Sequence, residues 1–573
     1  MARFRPGQRQ RSRYLLFIGI IATIFLYTYL STDTFSSPAY DTKYYTRHSL
    51  NRPPKSWIPR SSIQIQYDFK AKGNSGGDAA KAQAVVDVMK RTFWKYKLKA
   101  WGMDEIMPIT GGYQNTRNGW AATIVDTLTT TALMGLEEEF LLELNYTING
   151  IDFALAQGLV DPFETTIRYL GAMVSTIDLI DESVVRRNLV TPAQRDLLLE
   201  KAVRLANLLG PSFDSPTGMI WPRLNFTSGQ GCIEADGEKP YPDLAEPVIG
   251  PARAGSNYLE NKVLSKLTGD VKYVRNATRA WAPLVWNKNP EAMPGLIDSP
   301  ISIVSGAPIE KHRSWGAGHD SYYEYLIKAF LLSPRDRHAR KYRDRWLQSV
   351  ESTMKYLAVR GLPAAGEKKG KVFLSQFRNG WLLNEMGHLT CFAGGNILLG
   401  GKVLGRQDII QLGLDIIDTC HHTYINTATR IGPESFAWLP EAPSKATYQP
   451  EGEGQRLQQE KMGMWISDAR WMLRPETVES YFYAYRITGD PMYREWAWDA
   501  FTSILKASTA EFGYAEIGDV THPPGPDNQN DKTESFWGAE TLKYLYLIFA
   551  DESVLDLGEW VFSTEAHPFK VMD

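Results

Sequence analysis

Two distant stretches of this chain share one frame. KLTGDVKYVRNATRAW (266–281) and RITGDPMYREWAWDAF (486–501) both read helix, Thr-Gly-Asp-x-x-Tyr, helix. In each, the glycine stops one helix and the aspartate caps the next, which makes a tight helical hairpin. Such a hairpin cannot bury its apolar face alone, so repeats of it must stack into an open solenoid or a closed toroid. Helical spacing of apolar residues runs on either side of these units, from KAQAVVDVMKRTFWKYKLKAW (81–101) to 534–549, and includes 380–404 and 455–470. Long alternating β-branched runs are almost absent. The pattern predicts an all-α body over 79–573 as one large domain, with strands confined to short hairpins in the connections.

The N-terminus has a different character. Arg3, Arg5, Arg9, Arg11 and Arg13 precede an uncharged run, YLLFIGIIATIFLYTYL, over residues 14–30. That length is at the short end of what crosses a hydrocarbon core of ~30 Å. No small-residue cleavage site follows, so a retained transmembrane signal-anchor is expected, with 1–13 as a cytoplasmic tail and the rest luminal. Residues 31–78, rich in Ser, Thr, Pro, Lys and Tyr and closed by GNSGGD, read as a luminal stem. So short a span fits the thin membranes of the endoplasmic reticulum or Golgi. Sequons at Asn145, Asn225 and Asn276 agree with a luminal, glycosylated body. In an oxidising lumen the three cysteines make one pair and one left over, with Cys391 and Cys420 the expected pair and Cys232, in a Gly-rich loop, free. A net charge of −2 and the lack of any basic repeat exclude nucleic acid as a partner.

Carboxylates recur inside aromatic segments. LRPETVESYFYAYRITGD (473–490) puts Glu476 and Glu479 on one face of a helix's first turn, beside Arg474. FETTIRYLGA sets Glu164 four residues before Arg168, and GHDSYYEYLIKAF sets Asp320 four before Glu324. ESFWGAETLKYLYLIF carries Phe536 and Glu540, and VFSTEAHPF carries Thr564 and Glu565. Any one pair reads equally well as a surface contact of about 0.2–0.5 kcal/mol. Five together, in segments too apolar to be solvated, point to a shared cavity, because an unpaired buried charge is costly. Several carboxylates in one cavity suit glycoside hydrolysis, or a hard cation held by oxygen ligands and water. Aromatic residues make up 12% of the chain; rings serve sugar sites, but large helical cores use them more often. HExxH and P-loop motifs are absent, and His388 and Cys391 in NEMGHLTCF lack partner thiols at zinc-ligand spacing.

These segments, together with NGWAATIVDTLTTTALMGL and GHLTCF, resemble glycoside hydrolase family 47, the class I α-1,2-mannosidases of the secretory pathway, over about 118–568. The anchor and stem resemble the family's type II membrane members, and the sequence style its fungal ones. The resemblance implies an (α/α)7 toroid plugged by a C-terminal β-hairpin. It implies inverting hydrolysis of terminal α-1,2-linked mannose from high-mannose N-glycans, with a bound Ca2+. Glu164 resembles the general acid acting through a water, Asp320 and Glu476 the other catalytic carboxylates, and Glu434 another acid in donor position. Thr564 resembles the Ca2+ ligand. Arg168, Glu260, Glu324, His388, Arg474, Glu479, Phe536, Glu540 and Glu565 resemble residues that orient the mannose and the metal's waters. Cys391 and Cys420 correspond to the family's disulfide. Two departures stand out: Thr129 where many members carry a second aspartate after Asp126, and Gly318 where some carry an arginine facing the glycan branches. The alternative from another class is a non-hydrolytic, lectin-like quality-control factor of the same fold. A monomer is expected.

Overall fold

The computed structural model describes residues 64–73, 76–232, 247–288 and 291–572. The expected tail, the membrane span at 14–30 and most of the stem lie outside the described residues. Among the described residues no helix is long and apolar enough to cross a membrane.

Helices dominate, in two layers. The principal ones are α1 (Ala79–Ala100), α2 (Leu128–Leu133), α3 (Glu137–Asn149), α4 (Gly171–Asp181), α5 (Pro192–Leu209), α6 (Tyr258–Thr268) and α7 (Lys272–Ala280). They continue with α8 (Asp320–Leu332), α9 (Ala339–Tyr356), α10 (Phe392–Leu404), α11 (Gln407–Ile425), α12 (Glu476–Thr488), α13 (Met492–Ser508) and α14 (Leu542–Phe549). Each even-numbered helix from α2 to α12 packs on the odd-numbered helix that follows it, and α14 packs on α1. The even-numbered helices also touch one another in succession, α2 to α4 and onward to α14, and the turn leading into α14 returns to α2. Among the described residues, seven hairpins therefore close on themselves, with the even helices inside.

Local chemistry accounts for the hairpins. Gly269 ends α6 and Gly489 ends α12 at φ +74°, a left-handed conformation that costs glycine nothing. Asp270 and Asp490 each accept the N–H two residues on at 2.9 Å, and each donates its own N–H to the preceding threonine hydroxyl at 3.2 Å. The repeated frame thus builds the same turn twice. Elsewhere the contact between helices is closer. A Cβ on Gly413 of α11 would sit 2.6 Å from the Leu398 nitrogen of α10, so these two backbones touch. The Cys391–Cys420 disulfide, with Cα atoms 6.0 Å apart, ties the start of α10 to α11. Cys232 is free and half-buried.

The aromatic content goes mostly to core. Trp281, Trp315, Trp346, Trp438, Trp471 and Trp537 are all under 2% exposed. Strands fill the connections, with more organisation than local hairpins. Val248–Ile249, Ser299–Ser302, Pro308–Arg313, Gln376–Arg378 and Trp381–Leu383, drawn from three separate connections, form one five-stranded antiparallel sheet. The helices expected at 380–404 and 455–470 are correspondingly shorter. Residues 381–387 are strand before α10 begins, and Trp465–Asp468 pairs with Ser435–Ala437, because cross-strand partners outweigh the helical spacing there. At the C-terminus Trp560–Phe562 pairs with Pro568–Lys570, and this hairpin packs on α8 and α4.

One boundary shifts. Ile65 and Phe69, in the segment expected to be stem, are buried against the helical body. Gln66 bonds the Glu552 carbonyl at 2.8 Å and accepts from the fully buried Arg486 at 3.1 Å. Their tie to the body depends on partners hundreds of positions away, which composition does not reveal.

Candidate active site

The inner helices begin irregularly where the acids sit. Pro162 opens a short helical turn whose N-cap, Asp161, accepts the N–H groups of Phe163 and Glu164 at 3.1 and 3.3 Å. Residues 165–170 then form a π-helical stretch before α4, and Trp537–Thr541 forms another before α14. π-Turns in α-helices often accompany functional sites. These two carry Arg168 and Glu540.

A cavity of about 390 Å³ opens among these elements. Glu164, Arg168, Asp320, Glu324, Arg474, Glu476, Glu479, Phe536, Glu540, Thr564 and Glu565 all line it, although they come from segments spread over some four hundred positions. Three other expected residues stand behind its wall. His388 holds Glu476, with Nδ1 at 2.7 Å from Oε2. Glu434 forms a bidentate pair with Arg474, at 2.7 and 2.5 Å, and lines a neighbouring cavity of about 230 Å³. Glu260 is fully buried and accepts the Tyr325 hydroxyl, while its Oε2 has no hydrogen-bond partner among the described residues. The sequons lie away from this centre. Asn145 is exposed, and Asn225 and Asn276 are half-buried.

The three central acids sit in different electrostatic settings. Burial pushes the Asp320 carboxyl up, its neighbours Glu324 and Glu476 add to that, and it reaches about 7. Burial also works to raise Glu476, but the hydrogen bond and charge of His388, with Arg474, overcome it and hold this carboxyl below its usual range. Glu164 resists burial more strongly. Arg168, with Nε at 2.9 Å, and Arg117, with Nε at 3.5 Å, hold it at about 2. Deeper acids go the other way. Burial and mutual repulsion raise Glu479, Glu540 and Glu565 well above the usual carboxylate range, and Glu260 to about 8. Lys328, paired with Glu324 and 3.9 Å from Glu479, offsets only part of this negative charge.

Several participants were not among the expected residues. Arg117 and Glu534 line the cavity, the former bridging Glu164 and Glu534. The Arg168 guanidinium is anchored from behind by Asp126 at 3.2 Å, Ser535 at 3.1 Å and Glu565. Asp126 faces His567 at 3.3 Å, and His567 Nδ1 lies 3.2 Å from the Thr129 hydroxyl. Thr129, the noted departure, therefore completes this network with a hydroxyl. Arg117 follows an Asn-Thr pair in a turn-rich stretch, and only a search for cations near NGW would have flagged it.

Among the described residues no three His, Cys, Asp or Glu side chains converge closely enough to cage a metal ion by themselves. The donor set instead fits a hard cation bound through water. Thr564 offers hydroxyl and carbonyl oxygens at the tip of the C-terminal hairpin, its N–H facing Tyr325 at 3.3 Å. Arg168 and Lys328 offset only part of the charge of the carboxyls that line the cavity with it, and one oxygen of Glu260 has no hydrogen-bond partner among the described residues.

Known proteins share this arrangement of sequence. A mannosyl-oligosaccharide α-1,2-mannosidase of Coccidioides posadasii is 38% identical over 501 residues, 86% of this chain and 91% of its own length. A mannosyl-oligosaccharide α-1,2-mannosidase 1B of Aspergillus oryzae is 37% identical over 535 residues, 91% of this chain and 98% of its own. The solved α-1,2-mannosidase from Trichoderma reesei superposes with a TM-score of 0.79 at 34% identity, covering 87% of this chain and all of that one. The family model described as glycosyl hydrolase family 47 matches residues 88–571, and the chain belongs to that family.

Proposed function

We propose that this protein hydrolyses terminal α-1,2-linked mannose from high-mannose N-glycans, with inversion at the anomeric carbon. The observation that carries the reading is the convergence of Glu164, Asp320, Glu476 and Thr564 on one cavity. Glu476, held ionised by His388, takes a proton from the attacking water. Asp320, which keeps its proton near neutrality, gives it to the glycosidic oxygen as the bond to C1 breaks. Solvent exchange then returns both groups to their starting state. The resemblance gives the donor role to Glu164 through a water. The guanidinium groups beside it favour a second role, a fixed negative charge facing the cationic transition state. Glu434 acts one step back, by fixing Arg474.

Thr564 would hold a Ca2+ whose water shell is supported by Glu260, Glu324, Glu479, Glu540 and Glu565; when bound it would offset their charge and fix sugar hydroxyls. The seven closed hairpins form the (α/α)7 toroid of this reading. The body would hang in the lumen of the Golgi or endoplasmic reticulum on a single N-terminal anchor over 14–30, as a monomer acting on glycoprotein glycans. The lectin alternative finds no support in the comparisons. The test is free mannose released from a nine-mannose N-glycan by the purified protein with Ca2+. Release is expected, with loss under chelation; no release in either condition would overturn the reading.

A further inference from the structure

The carboxylate of Asp161 serves two structures at once. Its Oδ1 caps the turn that carries Glu164, and its Oδ2 accepts from Arg223 Nη1 at 2.9 Å and pairs with Arg253. Arg253 is thereby fixed relative to Glu164. Its guanidinium carbon lies 5.4 Å from the centre of the Phe163 ring, and both residues line the cavity. The same segment touches the Asp320 side of the site, since Ala252 donates its N–H to the Gly318 carbonyl at 2.9 Å. Gly318 is exposed at φ +87°, and a Cβ built on it would meet no atom within 4 Å. Gly318 itself adds no side chain to the rim, and Arg253 lines the same cavity from the segment bonded to it.

Depth separates Arg253 from the other cations. Its side chain is 34% exposed, against 25% for Arg117, 15% for Arg474 and 7% for Arg168, which is sealed among carboxylates. A glycan cleaved at its terminal residue must send the remaining sugars outward over the rim. There a guanidinium fork matches a pair of neighbouring hydroxyls, and the face of an aromatic ring accepts the C–H face of a pyranose. We propose that Arg253, backed by Phe163, is a specificity-determining contact for the mannose units on the leaving-group side of the scissile bond. This rests on the hydrolytic reading above. It assigns to Arg253 the choice of which branch enters first.

The experiment compares the full chain with Arg253→Ala, Arg253→Gln and Arg223→Ala on a nine-mannose glycan, resolving the eight-mannose isomers formed. Arg253→Ala is expected to raise KM about 10-fold and change the order of isomers, the size of effect expected when a charged hydrogen-bond donor is lost. Arg253→Gln should fall between it and the parent. Arg223→Ala, which removes the other partner of Asp161 without altering the rim, should lower the melting temperature and leave the isomer order intact. An unchanged isomer order and KM in both Arg253 variants would overturn the proposal. So would failure of both to fold, since Arg253 would then be structural, and so would an equal change of isomer order in Arg223→Ala. Failure of the parent to release mannose would count against the hydrolytic reading, a separate result.

Discussion

Oε2 of Glu476 lies 2.7 Å from Nδ1 of His388, and Nε2 of the same ring lies 2.8 Å from the Tyr424 hydroxyl. The imidazole thus joins Glu476, the base of the proposed mechanism, to a buried phenol and favours its ionised form despite its burial. Removing the ring makes Glu476 easier to protonate. His388→Ala should lower kcat about 100-fold and move the acidic limb of the kcat/KM profile to higher pH. A pH–rate profile checks both. An acidic limb that stays in place would separate His388 from the base.

In the proposed mechanism the alkaline side of that profile belongs to Asp320. With its carboxyl at about 7, the protonated donor is lost as pH rises through that value, so kcat/KM should fall there. Asp320→Asn should cost about 1,000-fold or more in kcat. If Glu164, held at about 2, were the donor in the free protein, no limb near 7 would appear.

Behind Arg168 the network is wholly buried. Asp126, Thr129 and His567 each show no exposure. Asp126→Ala removes one partner of a buried cation and should cost about 3 kcal/mol of stability. Thr129→Val removes only the hydroxyl contact to His567 and should cost about 1 kcal/mol. Denaturant unfolding measures both, and equal losses would contradict the larger contribution assigned to the carboxylate.

Stability should depend on pH in a defined sense. Burial raises Glu105, Glu143 and Glu260 from 4.5 to about 8 in the folded chain. Burial lowers His319, His421 and His567, which act the other way until they are neutral in both states above about 6.5. From there to about 8 the raised carboxyls leave the folded state with more bound protons, so stability falls as pH rises across that window. Melting temperatures measured across that window with chelator present test the sign. A rise with pH would contradict it.

Cation binding supplies an independent handle. Ca2+ should raise the melting temperature by mass action, and Thr564→Ala should weaken that shift while leaving the chelated protein close to the parent. Isothermal calorimetry and thermal melts together check this. Equal Ca2+ affinity in the variant would remove Thr564 from the ligand set.

Much of this was legible because it depends on local chemistry. Gly269 and Gly489, with the aspartates that follow them, specify their turns within a few residues. Glu476 and Glu479 declare themselves because acids in a run such as SYFYAY have no solvated face to occupy. What sequence did not reveal depends on distant partners. The π-turns at 165–170 and 537–541 leave the apolar spacing readable as ordinary helix. The strand at 381–383 closes a local hairpin with 376–378, and the one at 385–387 exists through its pairing with 435–437 on another connection. Arg117, Asp126 and His567 acquire meaning only when the ring closes, and Gln66 is tied to the body through Arg486 and the Glu552 carbonyl, far along the chain.

The most direct test of the central claim is the anomeric configuration of the first sugar released, followed by proton NMR as a nine-mannose N-glycan is digested with Ca2+ present. A water activated by Glu476 opposite the Asp320 proton donor predicts that β-mannose forms first and mutarotates afterwards. Initial formation of α-mannose would contradict the account.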